Sequence, residues 1–258
     1  MFKININFSF LLSIKFCIYV LFTTWLFFNF FDIEIFKLTR NFNANYFYFF
    51  ENIIDPISDV FNPLNILIIF ALLLLFTFRI KKKIKNPKLC KAVLKKTNLK
   101  IDEVLNLIEF YKLIFCHIIS SLLISGLVCH LLKYILGVSR PKYFFLNGYE
   151  RINFFNLEHK VNSLPSGHTQ AIFTVAILFV IYCKQFYFIA FFVATLVGIS
   201  RIFMSMHFPS DLILGAYIGM FFPLAIFVLF FQEKLNNYKK EKNFNFRLFM
   251  KLIYLRGI

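Results

Sequence analysis

The sequence is short of the residue types on which many binding sites depend. Its five cysteines include no C-x-x-C pair, so neither a disulfide framework nor a zinc site is predicted. It has only 13 acidic residues against 29 lysines and arginines, and Asp211 is the one acid between Glu158 and Glu233. Despite the net charge of +16, no basic segment with interleaved aromatics matches a nucleic-acid-binding signature. We therefore expect no nucleic-acid partner, and the positive charge needs another explanation.

Apolar residues, by contrast, are in excess. The sequence is 59% hydrophobic and 21% aromatic, with 40 phenylalanines against 8 glycines, whereas a soluble domain averages roughly 45–50% apolar residues. A bilayer could absorb this excess where a soluble core could not, so we predict an all-α, polytopic membrane protein. Six apolar runs are candidate spans, of which the fourth and fifth are short. They are Phe10–Phe31, Phe61–Phe78, Leu113–Leu132, Thr169–Cys183, Phe186–Ile199 and Leu212–Phe231.

The distribution of charge orients these spans. Segment 79–100, between the second and third spans, carries ten basic residues and no acid, which places it in the cytoplasm by the positive-inside rule. Segment 32–62 is acidic and falls on the opposite side. The first run lacks the A-x-A site of a cleaved signal peptide, so we predict a retained helix, and alternation then puts both termini in the cytoplasm. The loops 133–164 and 201–211 are consequently expected outside it.

We divide the chain into three parts. Residues 1–112 hold the first two spans, the acidic outer loop and the basic cytoplasmic loop, and are expected to supply topology rather than chemistry. Residues 113–231 hold the other four spans. Residues 232–258 form a basic cytoplasmic tail, in which FNFRLFMKLIYLR looks like an amphipathic segment for the membrane surface or for a partner.

Two charged stretches lie between the third and fourth spans. In KYILGVSRP, Lys133 follows the third span, and Arg140 comes seven residues later, before Pro141. Because a proline favours an extended backbone at the residue before it, we expect Lys133 to end a helix and Arg140 to reach back from a loop. Lysines and arginines ordinarily anchor helix ends at the membrane surface, but ammonium and guanidinium groups at one depth also suit a phosphate.

The second stretch, PSGH, opens the fourth span. Ser166 is a natural N-cap, Gly167 lets backbone N–H groups approach a ligand closely, and His168 falls in the first turn. The N-terminus of a helix has unpaired N–H groups and a partial positive charge, which suit an anion. Taken alone, the stretch is more simply an ordinary capped helix with a histidine at the membrane surface.

The third stretch is SRIFMSMHFPSD, from Ser200 to Asp211. Arg201 ends the fifth span, and Pro209 suits the first turn of the sixth helix, which puts His207 just before that helix and Asp211 inside it. Asp211 can then accept a hydrogen bond from one ring nitrogen of His207 and leave the other as a nucleophile. The simpler alternative is an aspartate stabilised by the helix dipole beside a surface histidine.

The remaining three histidines receive no functional role. His117 and His130 fall within the third span, where we expect buried, neutral and hydrogen-bonded imidazoles. His159 lies in a loop without a partner that the sequence identifies.

Together and in order, K-x6-R-P, P-S-G-H and S-R-x5-H-x3-D resemble the signature of the type-2 phosphatidic acid phosphatase superfamily, which includes the vanadium haloperoxidases and bacterial acid phosphatases. The resemblance covers roughly residues 113–231. It implies a six-transmembrane-helix bundle of that type, with the phosphatase core at 113–231. Every motif position is matched, by Lys133, Arg140, Pro141, Pro165, Ser166, Gly167, His168, Ser200, Arg201, His207 and Asp211.

The resemblance also implies a role for each matched residue. His207 would attack phosphorus to form a phosphohistidine, Asp211 would orient it, and His168 would protonate the leaving group. The phosphoryl oxygens would be held by Lys133, Arg140, Ser166, Gly167, Ser200 and Arg201. Cations and a helix N-terminus can stabilise the charge of a phosphoryl group, and among the motif residues on the outer active face Asp211 stands nearly alone as a carboxylate. We therefore predict a metal-independent enzyme without a cofactor.

The resulting prediction is an integral membrane phosphatase of a bacterial inner membrane. Its site would face the periplasm or exterior and hydrolyse a lipid phosphate or diphosphate, such as undecaprenyl diphosphate, lipid A or a phosphatidic acid-like lipid. Two alternatives stay open, namely a lipid phosphotransferase that uses the same phosphohistidine and a non-catalytic membrane protein that binds an anion. Neither the physiological lipid nor the oligomeric state can be read from the residues.

Overall fold

A computed structural model describes residues 6–60, 62–183, 186–238 and 246–253. Across these residues the fold is all-α, as predicted, without strands and with one isolated antiparallel bridge between Val138 and Ile152. The α-helices are α1 (Ile6–Ser9), α2 (Ile14–Leu26), α3 (Asp32–Arg40), α4 (Ala44–Phe49), α5 (Asp55–Val60), α6 (Pro63–Lys83), α7 (Pro87–Thr97), α8 (Ile101–Leu136), α9 (Pro141–Asn147), α10 (Gly167–Tyr182), α11 (Tyr187–Phe203), α12 (Pro209–Ile226), α13 (Gln232–Tyr238) and α14 (Phe246–Ile253). Segments of π-helix join α2 to α3, α4 to α5 and α12 to α13, at Phe27–Phe31, Phe50–Ile54 and Phe227–Phe231.

The apolar helices identify an integral membrane protein. Helices α10 and α11 are apolar but only 16 and 17 residues long, in line with the two short runs in the sequence. On α6, the side chains of Leu64 and Leu72 are 62% and 61% exposed, as expected for a helix that faces lipid. Within the described ranges, four helical stretches are long and apolar enough to cross a membrane, namely Ile14–Arg40, Pro63–Lys83, Ile101–Leu136 and Pro209–Tyr238.

Two segments predicted as loops are largely helical. The acidic segment 32–62 contains α3, α4 and α5, and the basic segment 79–100 contains the end of α6 and all of α7. Helix α7 has strong local signals, because the side chain of Asn86 accepts a hydrogen bond from the N–H of Lys88, and Pro87 is the first helical residue. Hydropathy alone ends a helix where the polar residues begin, and here the helices continue past that point. Phe61, the predicted start of the second span, lies outside the described residues, and α6 begins at Pro63.

The chain forms two compact units. Among the described residues, one unit is built from those within 66–120 and 226–253, and the other from those within 6–65 and 121–225. In the first unit, the buried Phe249 of the tail helix α14 packs against Tyr111 and Phe115 of α8, with ring centroids 4.4 and 5.6 Å away. Helix α14 of the tail is therefore held by aromatic contacts within its own unit.

The second unit contains every predicted site residue, supported by two buried apolar clusters. In the first cluster, Ile172 and Ala176 of α10 pack against Ala194 and Val197 of α11. The second joins α8, α12 and the loops between them, and it consists of Cys129, Val138, Leu164, Leu214 and Ile218. The loop residues Val138, after α8, and Leu164, before α10, are thus packed against helices.

The end of helix α8 is marked by a glycine in a left-handed conformation. The helix extends to Leu136, one turn beyond Lys133, and Gly137 follows with φ of +52°, a left-handed conformation that glycine adopts without strain. Lys133 therefore lies in the last turn of α8, and the chain turns sharply toward Arg140. The fifth predicted span likewise extends through Arg201 to Phe203, and α12 begins at Pro209 as expected.

Candidate active site

A cavity of about 360 Å³ opens in the second unit beside α8 and α10. Three separate parts of the sequence contribute predicted site residues to its wall, namely Lys133, Arg140, Gly167, His168 and His207. The other four, Ser166, Ser200, Arg201 and Asp211, do not line the cavity and are at most 5% exposed. The structure thus brings the three motif stretches to one place, with some members on the surface of the cavity and the rest supporting them.

His207 and Asp211 lie next to each other, as the sequence predicted, and the structure shows that both are buried. Nδ1 of His207 lies 3.4 Å from Oδ2 of Asp211, and both side chains are almost fully buried. The same carboxylate oxygen accepts hydrogen bonds from the hydroxyl of Ser163 at 2.5 Å and from the N–H of Phe208 at 2.7 Å. Asp211 is therefore held in place by two donors besides the imidazole.

Ser163 determines which ring nitrogen of His207 is available. Its Oγ lies 3.3 Å from Nδ1 of His207, and its hydroxyl proton is donated to Asp211. The serine oxygen and the carboxylate are then both acceptors for a proton on Nδ1, so Nε2 carries the lone pair. Burial, reinforced by the positive charges of Lys133 and Arg140, holds the pKa of His207 well below its ordinary value. The imidazole is consequently neutral near pH 7, as a nucleophile must be.

The cations of the first motif share a common anchor. Nζ of Lys133 donates to the carbonyl of Asn162 at 2.6 Å, and one terminal nitrogen of Arg140 donates to Oδ1 of Asn162 at 3.1 Å. The backbone N–H of Arg140 also donates to the carbonyl of Lys160 at 3.0 Å. The turn at 159–162 therefore fixes both side chains on the same wall, and Arg140 reaches it from a loop, as predicted from Pro141.

The first turn of α10 supplies backbone donors at the wall. Oγ of Ser166 caps this helix by accepting from the N–H and the hydroxyl of Thr169, at 3.4 and 2.9 Å. Helix α12 lies directly against the cap, because the N–H of Ser166 donates to the carbonyl of Asp211 at 2.9 Å and a Cβ at Gly215 would come within 2.6 Å of the Ser166 carbonyl. The first N–H groups of a helix have no intrahelical partner, and here they lie at Gly167 and His168 on the cavity wall.

Arg201 is engaged by a carboxylate that the sequence did not connect with it. Its guanidinium forms an ion pair with Asp55 of α5, and Nε donates to Oγ of Ser200 at 3.3 Å. Ser200 in turn donates to the carbonyl of Val197 at 2.8 Å. Ser200 therefore orients Arg201 in this structure, and the direct contact of either residue with a phosphate stays a prediction.

Several cavity residues were missed or misjudged from sequence. His117 is fully buried, as predicted, but His130 is exposed and lines the cavity, because it lies three residues before Lys133 and so on the same face of α8. His159 and Asp59 also line the wall. Asp55 and Asp59 belong to the part expected to supply topology alone. The spacing from Lys133 could have revealed His130, whereas no local signal marks the other three.

The donors around the cavity suit an anion. Lys133, Arg140 and the first turn of α10 converge on it, and a tetrahedral oxyanion can accept from all of them. Within the described ranges, no group of three or more His, Cys, Asp or Glu side chains is arranged to hold a metal ion. A neutral imidazole backed by a carboxylate, beside a second imidazole on the same wall, can divide nucleophilic and acid–base work.

Comparison with known proteins finds sequence similarity over the part of the chain that holds these residues. A family model described as the PAP2 superfamily matches residues 114–235. The lipid A 1-phosphatase of Rhizobium johnstonii is 31% identical over 117 residues, which is 44% of this chain and 47% of that protein. The lipid A 1-phosphatase of Rhizobium etli is 30% identical over 44% of this chain and 49% of that protein. The bacitracin transport permease protein BcrC of Bacillus licheniformis is 33% identical over 33% of this chain and 44% of that protein.

These relatives are matched only in part. The aligned segments span about half the length of each relative, from 44% to 49%. No solved structure matches the chain. The matched segment of the family model nevertheless contains all nine predicted site residues.

Proposed function

We propose that the protein is a membrane phosphatase that acts on a phosphate or diphosphate carried by a lipid, and the match of residues 114–235 to the PAP2 superfamily model supports this proposal. The observation that carries the proposal is the convergence of the His207–Asp211 pair, His168 and the two cations Lys133 and Arg140 at one cavity. An anion-binding protein without catalysis would not require a buried, oriented and neutral imidazole at the end of that cavity.

The proposed reaction has two steps. In the first, Nε2 of His207 attacks phosphorus, the bond from phosphorus to the leaving oxygen breaks, and His168 gives its proton to that oxygen. In the second, His168 takes a proton from water as the water attacks phosphorus, and the bond from phosphorus to nitrogen breaks. Phosphate is released and His207 returns to its neutral form.

Positive charge in place of a metal ion is proposed to stabilise the transferring phosphoryl group. Lys133, Arg140 and the N-terminus of α10 face the cavity, and Arg201 would add its guanidinium once phosphate competes with Asp55 for it. Phosphoryl transfer depends mainly on positioning and on such charge stabilisation, which preorganised donors supply without rearrangement.

The proposed topology has six spans with both termini in the cytoplasm. It counts α10 and α11 as crossing helices, and it puts the basic segment 79–100 inside and the loops at 133–164 and 201–211 outside. The cavity would then open at the periplasmic or exterior face of a bacterial inner membrane. The phosphatase core would be residues 113–231, preceded by the two-span segment 1–112 and followed by the cytoplasmic tail 232–258.

The substrate proposed is amphiphilic, because the cavity is polar at one end and apolar at the other. Below Lys133 on α8 the wall continues through His130 and Gly126 to Leu122, and α10 and α11 add Ile172 and Val197. His130 and His159 add imidazole donors beyond those required for one phosphoryl group, which favours a large head group such as a diphosphate. Two of the relatives are named lipid A 1-phosphatases. Lipid A and undecaprenyl diphosphate are therefore the first substrates to test.

Purified protein is expected to release inorganic phosphate from such lipids without added metal. The panel comprises lipid A, undecaprenyl diphosphate, undecaprenyl phosphate and phosphatidic acid, each assayed with and without a chelator. Dependence of turnover on added magnesium would contradict the metal-free mechanism. The same assay with a donor lipid labelled in its phosphate distinguishes hydrolysis from transfer. Recovery of the label in a second lipid, with none in free phosphate, would identify a phosphotransferase.

Gly126→Phe is expected to slow lipid substrates selectively. A Cβ at Gly126 would meet no heavy atom within 4 Å, and this position lines the apolar part of the cavity. A phenyl ring would fill the space that a lipid chain needs, so we expect kcat/KM for lipid substrates to fall about tenfold or more, with little change for a short water-soluble phosphate ester.

The matched control for this variant is Leu127→Phe. Leu127 is 61% exposed on the same helix and does not line the cavity, so its ring adds bulk without occupying the lipid path. Equal losses on soluble and lipid substrates for Gly126→Phe would show that the change disturbs the phosphate site, and the assignment of the apolar end to a lipid chain would be wrong.

A further inference from the structure

We infer that Asp32, at the start of α3, is a positioning residue that sets the first turn of α12 and thereby the geometry of His207 and Asp211. The inference rests on the proposed function. Asp32 lies outside the segment matched by the family model and is 178 residues from the serine it binds. Its carboxylate is fully buried, and the reaction proposed above gives it no part.

The carboxylate of Asp32 caps α12 from another helix. Its Oδ1 accepts from the backbone N–H of Ser210 at 2.9 Å, and its Oδ2 accepts from the hydroxyl of Ser210 at 2.6 Å. Ser210 is the second residue of α12, where the N–H has no intrahelical partner. A negative charge at that end is also favoured by the helix dipole. Asp32 therefore fixes the backbone immediately before Asp211.

Arg151 links the carboxylate of Asp32 to Phe208, the residue that follows His207. One terminal nitrogen of its guanidinium donates to Oδ2 of Asp32 at 2.5 Å, and its Cζ lies 3.7 Å from the centre of the Phe208 ring. Phe208 is fully buried, and its N–H is one of the two donors, besides the imidazole, that hold the Asp211 carboxylate. Arg151 therefore contacts the ring of Phe208, while the backbone N–H of Phe208 binds Asp211.

These contacts restrain the sequence neighbours of both His207 and Asp211. His207 is followed by Phe208, which Arg151 covers, and Asp211 is preceded by Ser210, which Asp32 binds. Contacts to Arg151 and Asp32 thus restrain two of the five residues in the segment 207–211, one next to His207 and one next to Asp211. Since a misplacement of about 1 Å can lower a reaction rate about a hundredfold, such anchoring is expected to act on turnover and to leave the binding of phosphate largely intact.

The test uses Asp32→Asn, Ser210→Ala and the double variant in the full-length protein. Asparagine keeps the shape of the side chain but removes the charge that holds Arg151. We expect kcat for Asp32→Asn to fall about a hundredfold, with KM and the affinity for inorganic phosphate changed less than about threefold. Both substitutions weaken the contact between the hydroxyl of Ser210 and Oδ2 of Asp32. The loss in the double variant should therefore be far smaller than the product of the single losses. Glu34→Gln is the matched control, since Glu34 is on the same helix and exposed.

Trapping of the labelled phosphoenzyme separates positioning from a loss of folded protein. In Asp32→Asn, every folded site should still be labelled, but at a slower rate. Labelling of a small fraction of sites at the wild-type rate would indicate a structural role alone and overturn the inference. A wild-type kcat would also overturn it.

If Asp32→Asn does not fold, the same slower labelling is expected of Ser210→Ala and Arg151→Lys, and the same contrary outcomes apply to them. Wild-type protein that releases no phosphate would contradict the proposed function, and the inference with it, whereas an active wild type with unaffected variants would contradict the inference alone.

Discussion

His207→Ala is expected to abolish phosphate release, with kcat lowered by at least about 10⁴-fold, the scale of loss seen when a catalytic nucleophile is removed. Nε2 of His207 is the atom whose lone pair is left free by the contacts of Nδ1 with Ser163 and Asp211. Alanine has no atom that can form the bond to phosphorus, and a direct attack by water would lose both the nucleophile and its orientation. Residual turnover would come only from the cations and the helix N-terminus, which remain in place.

The measurement combines single-turnover kinetics with isolation of the covalent intermediate. Wild-type protein quenched during turnover with a labelled donor should carry label in an acid-labile, base-stable linkage, the behaviour of a phosphohistidine. His207→Ala should carry none while retaining affinity for inorganic phosphate, because Lys133 and Arg140 keep their contacts with Asn162. A variant that keeps more than about one hundredth of the wild-type kcat would exclude His207 as the nucleophile.

The contact between His207 and Asp211 could be anticipated because the two residues are close in sequence. His207 and Asp211 are four residues apart with Pro209 between them, and a proline at the start of a helix fixes where each side chain lies relative to that helix. The same is true of the Ser166 cap and of Gly137, which ends α8. Local rules of capping and helix termination were sufficient at these positions, whereas the expectation that the three stretches meet came from the membrane topology and from the resemblance to the superfamily.

The support of the site could not be anticipated, because it consists of contacts between distant segments. Asp32 and Ser210 are 178 residues apart, and Asp55 approaches Arg201 from α5. In the sequence these acids belong to an apparently featureless acidic loop, and only the helical fold of that segment brings them to the site. Ser163 was missed for a different reason, since a serine in a polar loop has no pattern that distinguishes it until its neighbours in space are known.

Asp55 changes how the resting site is understood. The guanidinium of Arg201 is buried and already neutralised by this carboxylate, while Lys133 and Arg140 bind neutral oxygens of the turn at 159–162. Under the proposed function, a phosphate that enters the cavity would meet two cations that can add it to their existing contacts and a third that must exchange one anion for another. Such exchange avoids leaving a buried guanidinium without a partner when the cavity is empty, which would be costly in an apolar setting.

His168→Gln is expected to lower kcat by a factor that depends on the leaving group, which is the behaviour of a variant that lacks its general acid. An alkyl lipid phosphate releases a strongly basic alkoxide, which must be protonated as the bond breaks, so we expect kcat to fall by about 10³-fold. A nitrophenyl phosphate releases a stable phenolate that requires no proton, and its loss should stay below about tenfold. A diphosphate, whose leaving group is a phosphate, should fall between the two.

This comparison separates two roles that the geometry of the cavity permits for the same residue. His168 lies in the first turn of α10 with Gly167, next to the backbone donors proposed to bind phosphate. If its imidazole only held a phosphoryl oxygen, the substitution would slow all three substrates by the same factor, since each presents the same oxygens in the transition state. A uniform loss would therefore assign His168 to phosphate binding. The leaving group would then take its proton from another residue on the wall, where His130 and His159 are the two remaining imidazoles.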